Sequence, residues 1–183
     1  MARKLQIERA KNSKDKQQTY AKFLGIYKQS VEQGYYGEAE LIVYAYMEDR
    51  LRALLYYIEA INTRDIIEIN EQMQSLIGET RSPNGVVDKI KVIEASMEKC
   101  DDAKDQNKYA AFLAEVYKHA FDNTEFEKCL EAIRKWCRYR NEVIHGLFNK
   151  NVDDLYKGYR QHVNDGYDLA RELDNYVRQL KQV

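Results

Sequence analysis

The scarcity of turn-forming residues is the feature that most constrains what this chain can fold into. Its 183 residues include only 8 glycines and a single proline, Pro83. Antiparallel sandwiches and barrels need a turn about every ten residues, and glycine and proline build most of those turns. An all-β fold is therefore excluded in practice.

Apolar residues recur at helical spacing along almost the whole chain. The second predicted helix is apolar almost all round, which is typical of a helix in the middle of a bundle. We predict one all-α domain over residues 1–183, an antiparallel helical bundle with extra short helices and a helical insertion at about residues 63–105. The predicted helices span about residues 14–32, 38–61, 64–77, 86–98, 108–120, 125–148 and 151–179.

The charge balance argues against a globally basic nucleic-acid binder. The chain has 29 basic and 30 acidic residues, so its net charge is -1 at pH 7. Because a near-neutral total can still hide a local basic patch, this balance limits the extent of any RNA contact without excluding it.

The same composition predicts the compartment. No apolar run approaches the roughly 20 residues that a membrane-spanning helix needs, and the N-terminus has no apolar signal-peptide core. The cysteines Cys100, Cys129 and Cys137 have no zinc-ligand spacing among themselves or with the histidines. We expect a reduced, cytoplasmic protein with no metal, no cofactor and no membrane contact.

The helix predicted over about residues 125–148 carries an arginine on its apolar stripe. Arg140 lies seven residues after Ile133 and four before Ile144, so at about 100° per residue it points along the buried face. Leu147 continues that stripe. Since burying an unpaired guanidinium costs several kcal/mol, Arg140 needs an acidic partner, a ligand or a water-lined cleft.

Arg140 has polar neighbours on the flank of the same stripe. Arg134 and Arg138 lie seven residues before Asn141 and His145, respectively, so these four side chains share one face. A structural ion pair and a hydrogen-bonded rim histidine would explain them. A fixed cation beside an imidazole also suits phosphodiester transfer without a metal, because the imidazole moves a proton near neutral pH while the arginine neutralises charge on phosphorus.

The hexapeptide RNEVIH, residues 140–145, resembles the R-x4-6-H signature of the HEPN superfamily, in its R-N-x3-H form. This form is similar to the motif of abortive-infection proteins and of type VI CRISPR effector nucleases. It departs from a group of HEPN toxins whose pattern continues as H-x-Y, because Gly146 and Leu147 follow the histidine here. The resemblance covers this hexapeptide in specific residues and the rest of the chain in fold class, which implies a HEPN-like four-helix core.

The resemblance implies a metal-independent endoribonuclease that acts as a toxin or as an abortive-infection, antiviral defence effector. In such enzymes the RNA 2′-hydroxyl attacks the neighbouring phosphate and leaves a 2′,3′-cyclic end. His145 would be the general acid or base and Arg140 the group that stabilises the transition state. Asn141 would orient that pair or hold a phosphate.

The resemblance also implies partners. A chain with one motif would form a homodimer in which two motifs compose one active site, and a regulatory RNA or an antitoxin protein could hold it silent. Arg134 and Arg138 would steer the RNA backbone. Tyr139, next to the motif, is the tyrosine that we assign to RNA contact.

A second anomaly lies in the helix predicted over about residues 38–61. Glu40 shares a face with Tyr44 and Met47, and Arg50 faces inward four residues before Leu54. The two charges could pair with each other or with groups on other helices. Our hypothesis is that they orient the motif side chains without touching the substrate, and that Glu40 contacts Arg140 or its neighbours.

Two other function classes remain open at this stage. The first is a non-catalytic HEPN module that binds RNA or a nucleotide in the same cleft. The second is a helical adaptor or dimerisation protein in which the hexapeptide is coincidental. The other histidines, His119 and His162, have no companion residues nearby in the sequence and are interpreted as structural.

Overall fold

The computed structural model describes residues 13–63, 68–78, 82–146, 151, 154 and 156–182. These residues contain no strand, and the one β-bridge among them joins Ile61 to Ile69. The all-α fold class is confirmed. The helices are α1 (Ser13–Gln33), α2 (Tyr36–Tyr57), α3 (Glu71–Ile77), α4 (Gly85–Ala103), α5 (Lys108–Ala120), α6 (Asn123–Gly146) and α7 (Tyr159–Leu180).

Helix α2 lies at the centre of the bundle, as its apolar residues predict. It packs against α1, α4 and α7. Its buried side chains include the consecutive residues Ala53, Leu54 and Leu55, which point about 100° apart, so more than one face of the helix is covered. A charged residue on α2 therefore meets a neighbouring helix in most directions.

The directions of the helices bring three of them together at one point. Helices α2 and α7 run the same way, since Glu40 lies beside His162 and Arg50 bonds to Asp174 further along. Helix α6 runs the opposite way, because Phe126 near its start packs on Tyr176 whereas Trp136 further along packs on His162 near the start of α7. The second half of α6 therefore meets the N-terminal halves of α2 and α7.

Helix α4 lies in the segment that the sequence predicts as an insertion, and it belongs to the packed bundle. It contacts α2, α5 and α6, and it buries Val86, Ile90 and Ile93. Lys89 on the same helix is completely buried, and its ammonium donates to Glu48 of α2 at 3.0 Å. The segment thus contributes both apolar and ionic contacts to the core.

The ends of α6 and α7 differ in part from the expected ones. Asp122 caps α6, where its carboxylate accepts the backbone N–H of Thr124. Helix α7 begins only at Tyr159, because Gly158 before it adopts a left-handed conformation with φ 78°. The sequence predicts a start at about residue 151, but Asn151 itself is not helical.

The buried stripe of α6 also follows a different path near its end. Ile144, which was predicted to be buried, is 39% exposed, and Val143 is buried instead. Ile144 lies only about 20° from the buried Ile133 around the helix, so its exposure shows that the described part of the chain does not cover this face at the last turn of α6. Leu147 lies outside the described residues. No helix in the described part of the chain is both long and apolar enough to cross a membrane.

Candidate functional site

The motif arginine lies inside the bundle and faces α2. Its side chain is 18% exposed, and its Nε lies 3.8 Å from Oε2 of Glu40, whose side chain is 4% exposed. The predicted contact between these two residues is therefore present. The guanidinium also lies over the ring of Tyr44, 4.4 Å from its centroid, an attractive cation–π geometry. Arg140 is thus both neutralised and held in one place.

The ring of Tyr44 is itself fixed by α4. Its hydroxyl accepts the backbone N–H of Val86 at 3.2 Å, at the first turn of α4. Gly85 makes this approach possible, since a Cβ at that position would lie 2.9 Å from the Tyr44 hydroxyl. The aromatic ring that contacts Arg140 therefore belongs to α2 and is also held by α4.

The carboxylate of Glu40 also contacts an imidazole, that of His162. His162 on α7 is 11% exposed, and its Nε2 lies 3.3 Å from Oε1 of Glu40. The indole of Trp136 lies flat against the imidazole, with ring centroids 4.8 Å apart and planes 9° apart. The indole N–H donates to the backbone oxygen of His162 at 2.8 Å. These contacts fix the direction in which His162 points.

The sequence does not reveal these contacts of His162, which it leads us to interpret as structural. Its partners come from α2 and α6, so no spacing within α7 reveals them. A usable signal was Gly166, one turn later on the same helix. A Cβ there would lie 2.4 Å from the indole of Trp136, so the glycine marks a close helix contact beside His162.

Tyr159 completes a group that we call the Glu40 cluster, namely Glu40, Arg140, Tyr159 and His162. Burial, the charge of Glu40 and a hydrogen bond to that carboxylate raise the pKa of Tyr159 above its ordinary value. Among the described residues, Glu40 Oε1, Arg140 Nε and His162 Nε2 are buried and lack a hydrogen-bond partner of normal geometry. The guanidinium and the imidazole therefore lie against one carboxylate, at 3.8 Å and 3.3 Å, without forming hydrogen bonds of normal geometry with it.

A basic groove runs along the other side of α6, against α4. Its volume is about 570 Å³. Arg134 in the groove forms an ion pair with Glu94 of α4, whereas Arg138 is exposed. Asn141 accepts a hydrogen bond from Arg140 Nη1 at 3.4 Å. The groove, lined by Val87, Lys91, Glu94, Arg134, Arg138 and Asn141, is thereby joined to the Glu40 cluster.

The structure separates the two fixed positions of the motif. His145 is exposed, one turn beyond Asn141 on the same face of α6. Arg140 and His145 are five residues apart, which places them about 140° apart around the helix. The basic and motif residues of α6 therefore lie on two sides of the helix. Arg140 faces α2, while the groove residues and His145 face away from it.

Tyr139 lies beside the cluster. Its side chain is exposed in part, and its ring centroid is 4.5 Å from that of His162, with planes 50° apart. One face of this tyrosine is thus used in packing, which leaves the other for contact with a ligand.

Arg50 lies outside the site, which corrects the expectation that it supports the motif. It is buried, but its Nη1 donates to Asp174 on α7 at 2.8 Å, and its Nη2 bonds to Asp49 and Tyr20. Ten residues of helix place it about 15 Å along α2 from Glu40. Burial follows from the sequence pattern, but the choice of partner depends on which helices pack there.

In the part of the chain that the structure describes, metal-ligating side chains do not gather around the motif. Within the described ranges, no group of three or more histidine, cysteine, aspartate or glutamate side chains could hold a metal ion. No protein-family model, curated protein or solved structure matches the chain with significance.

Proposed function

We propose that the protein is a metal-independent endoribonuclease of the HEPN type. The observation that carries this proposal is the setting of Arg140. Glu40 and Tyr44 hold its guanidinium, and Asn141 connects it to a basic groove. An exposed imidazole, His145, follows one turn later. A held cation, a groove for an anionic strand and a titratable group are the parts that metal-free phosphodiester transfer requires.

The groove supplies the contacts for the RNA backbone. Arg138 is exposed, and Lys91 faces it from α4. Arg134 already forms an ion pair with Glu94, so it contributes less free charge than Arg138. Phosphate oxygens along the groove would therefore bind Arg138 first, in a bidentate fork. Lys91, which lies 3.5 Å from Asp88, would add a point charge.

The reaction follows from the roles of these groups. The 2′-hydroxyl loses its proton to a general base and attacks the adjacent phosphorus, and the bond from phosphorus to the 5′-oxygen breaks. The leaving oxygen takes a proton from a general acid. His145 fills one of these roles, Arg140 neutralises the developing charge, and Asn141 orients Arg140. The products are a 2′,3′-cyclic phosphate and a 5′-hydroxyl.

A second copy of the chain completes the site in this proposal. Arg140 and His145 face different sides of α6, so one chain does not aim both groups at one phosphate. Two copies related by a two-fold axis would bring both motifs to one cleft. Ile144, which is exposed beside His145, offers apolar surface for that contact.

In the cell, such an enzyme would act as a toxin or as an effector of abortive infection. Uncontrolled RNA cleavage harms the cell that makes the enzyme, so a regulatory RNA or an antitoxin protein would keep it silent. We propose that it acts in the cytoplasm.

One observation favours a second candidate, a non-catalytic module that binds RNA. Within one chain Arg140 is paired with Glu40 and points away from His145. A binding groove needs only the cations of α4 and α6, and it does not need the two motif residues to meet.

Cleavage in the presence of EDTA tests the proposal. Purified protein is incubated with end-labelled single-stranded RNA, beside His145→Ala and Arg140→Ala. The matched controls are His119→Ala and Arg171→Ala, which change exposed residues of the same types on α5 and α7. We expect the wild type and both controls to cleave, and the two motif variants to lose at least about a hundredfold in rate.

Each other outcome favours a different function. Tight RNA binding without cleavage by the wild type would favour the binding module. If the wild type neither binds nor cleaves RNA, the remaining interpretation is a helical adaptor. Cleavage that EDTA abolishes would contradict the metal-independent mechanism.

A further inference from the structure

His162 has no role in the reaction proposed above, although it lies closer to Glu40 than Arg140 does. Its Nε2 is 3.3 Å from Oε1 of Glu40, while Arg140 Nε is 3.8 Å from Oε2. The two side chains therefore contact the two oxygens of one carboxylate, from two different helices. Any movement of that carboxylate changes both contacts at once.

Water is a poor substitute for either partner. The side chains of Glu40 and His162 are 4% and 11% exposed. A buried carboxylate that loses a polar neighbour is not resolvated by water, so it moves toward the polar groups that remain. Without the polar contact from His162, Glu40 would shift toward Arg140 and Tyr159, and the guanidinium would shift with it.

The imidazole is oriented for this role by its surroundings. Trp136 stacks on its face and donates to its backbone oxygen. The rings of Tyr139 and Tyr159 pack against it from α6 and α7. Nε2 is thereby held 3.3 Å from Glu40 Oε1, a close polar contact that does not have the geometry of a hydrogen bond.

We propose that His162 is a positioning residue for Arg140, which it holds in place through the carboxylate of Glu40. This inference rests on the proposed function, because it assigns His162 to the same active site. His162 does not touch the substrate. Its contribution is to keep the guanidinium where charge develops on the phosphate, a geometry that is sensitive to shifts of an ångström or less.

Two substitutions of His162 separate positioning from packing. His162→Gln keeps an N–H donor near the place of Nε2 but loses the flat ring. His162→Phe keeps a ring to stack on Trp136 but loses the donor. Positioning predicts that Gln is the better replacement, whereas a purely structural role predicts that Phe is.

The kinetic readout is the division between kcat and KM. We expect His162→Phe to lower kcat at least about tenfold with KM changed by less than about twofold, because Arg140 acts on charge that appears only in the transition state. His162→Gln should stay within about threefold of the wild type. The reverse order of the two variants would overturn the proposal.

A second readout does not depend on activity. The Nε–H resonance of Arg140 in a ¹⁵N spectrum is assigned by its loss in Arg140→Lys. We expect this N–H to be protected from solvent exchange in the wild type and in His162→Gln, and to exchange faster in His162→Phe. Equal exchange in all three proteins would overturn the positioning role, whether or not the protein cleaves RNA.

The two proposals therefore fail separately. If the wild type cleaves no RNA but Arg140 exchange follows the predicted order, the ribonuclease is wrong and the coupling of His162 to Arg140 stands. Glu40→Gln supplies a further check, because His162→Phe should have less effect once the shared carboxylate is gone. Additive effects of the two substitutions on the exchange of the Arg140 N–H would overturn the positioning role of His162. Circular dichroism is the control that each variant is folded.

Discussion

Glu40 of α2 and Arg140 of α6 form a buried pair, with Oε2 of the carboxylate 3.8 Å from Nε of the guanidinium. Each residue breaks the apolar pattern of its own helix, and each supplies the charge that the other needs. Removing one partner of a buried pair leaves an uncompensated charge, which costs more than the pair itself contributes.

Glu40→Gln should therefore lower the free energy of unfolding by about 3 kcal/mol. Urea unfolding followed by circular dichroism measures the change. Glu32→Gln, at an exposed position of α1, is the matched control and should change it by less than about 0.5 kcal/mol. The double variant with Arg140→Gln should be less destabilised than the sum of the single variants, and simple additivity would contradict the pairing.

Two glycines should respond in opposite directions to replacement by alanine. At Gly166 of α7 a Cβ would lie 2.4 Å from Trp136, so Gly166→Ala should lower the free energy of unfolding by about 1–3 kcal/mol. At Gly25 of α1 nothing lies within 4 Å, so Gly25→Ala should raise it by about 0.5–1 kcal/mol. Thermal unfolding measures both changes, and we expect a lower melting temperature for Gly166→Ala and a higher one for Gly25→Ala. Equal shifts would mean that α6 and α7 are not packed this closely.

Arg50 should matter for stability and not for cleavage. Its guanidinium is buried against Asp174, Asp49 and Tyr20, far from the motif. Arg50→Met should cost about 3 kcal/mol, because it leaves carboxylates without their buried partner. RNA cleavage measured well below the melting temperature should be unchanged. A loss of kcat comparable to that of Arg140→Ala would place Arg50 in the active site after all.

Acid should weaken the contacts of α1 with α2 through Asp49. Burial alone would raise its pKa, but hydrogen bonds from Tyr20 and Arg50 and the charge of Arg50 outweigh it and lower the pKa to about 2. A carboxyl whose pKa is depressed in the folded state stabilises the protein above its unfolded pKa of about 4, and this contribution disappears as the pH falls through about 2. The loss amounts to about 2 kcal/mol.

Urea unfolding between pH 6 and pH 2 measures this loss. Asp49→Asn removes the titrating group, so its stability should fall less steeply over the same range than that of the wild type. Parallel curves for the two proteins would show that other carboxylates cause the acid sensitivity.

The proposed homodimer can be tested at Ile144. A charge at this exposed apolar residue beside His145 should prevent two copies from meeting there. We expect the wild type to sediment as a dimer and Ile144→Glu as a monomer, with cleavage lost in the variant. Phe112→Glu is the control, since Phe112 is equally exposed on α5. Dimers that persist in Ile144→Glu would exclude this face.

The fold class and part of the site follow from local sequence pattern. Helical periodicity predicts the bundle and the central place of α2. Arg140 and Glu40 could be found because a charge on an apolar stripe demands a buried partner. The partner of Arg50 could not be predicted, because the pattern shows which face is buried and not which helix covers it. His162 was missed for the same reason, since its contacts with Glu40 and Trp136 exist only once α2, α6 and α7 are packed.

The chemistry of the cleaved ends tests the central claim most directly. Wild-type protein in EDTA is given an RNA oligonucleotide and the same sequence with 2′-deoxy sugars, beside His145→Ala. We predict that the wild type cuts only the RNA, leaving 2′,3′-cyclic phosphate and 5′-hydroxyl ends, and that His145→Ala leaves both strands intact. Cleavage of the 2′-deoxy strand, or equal cleavage of the RNA by His145→Ala, would contradict a ribonuclease built on Arg140 and His145.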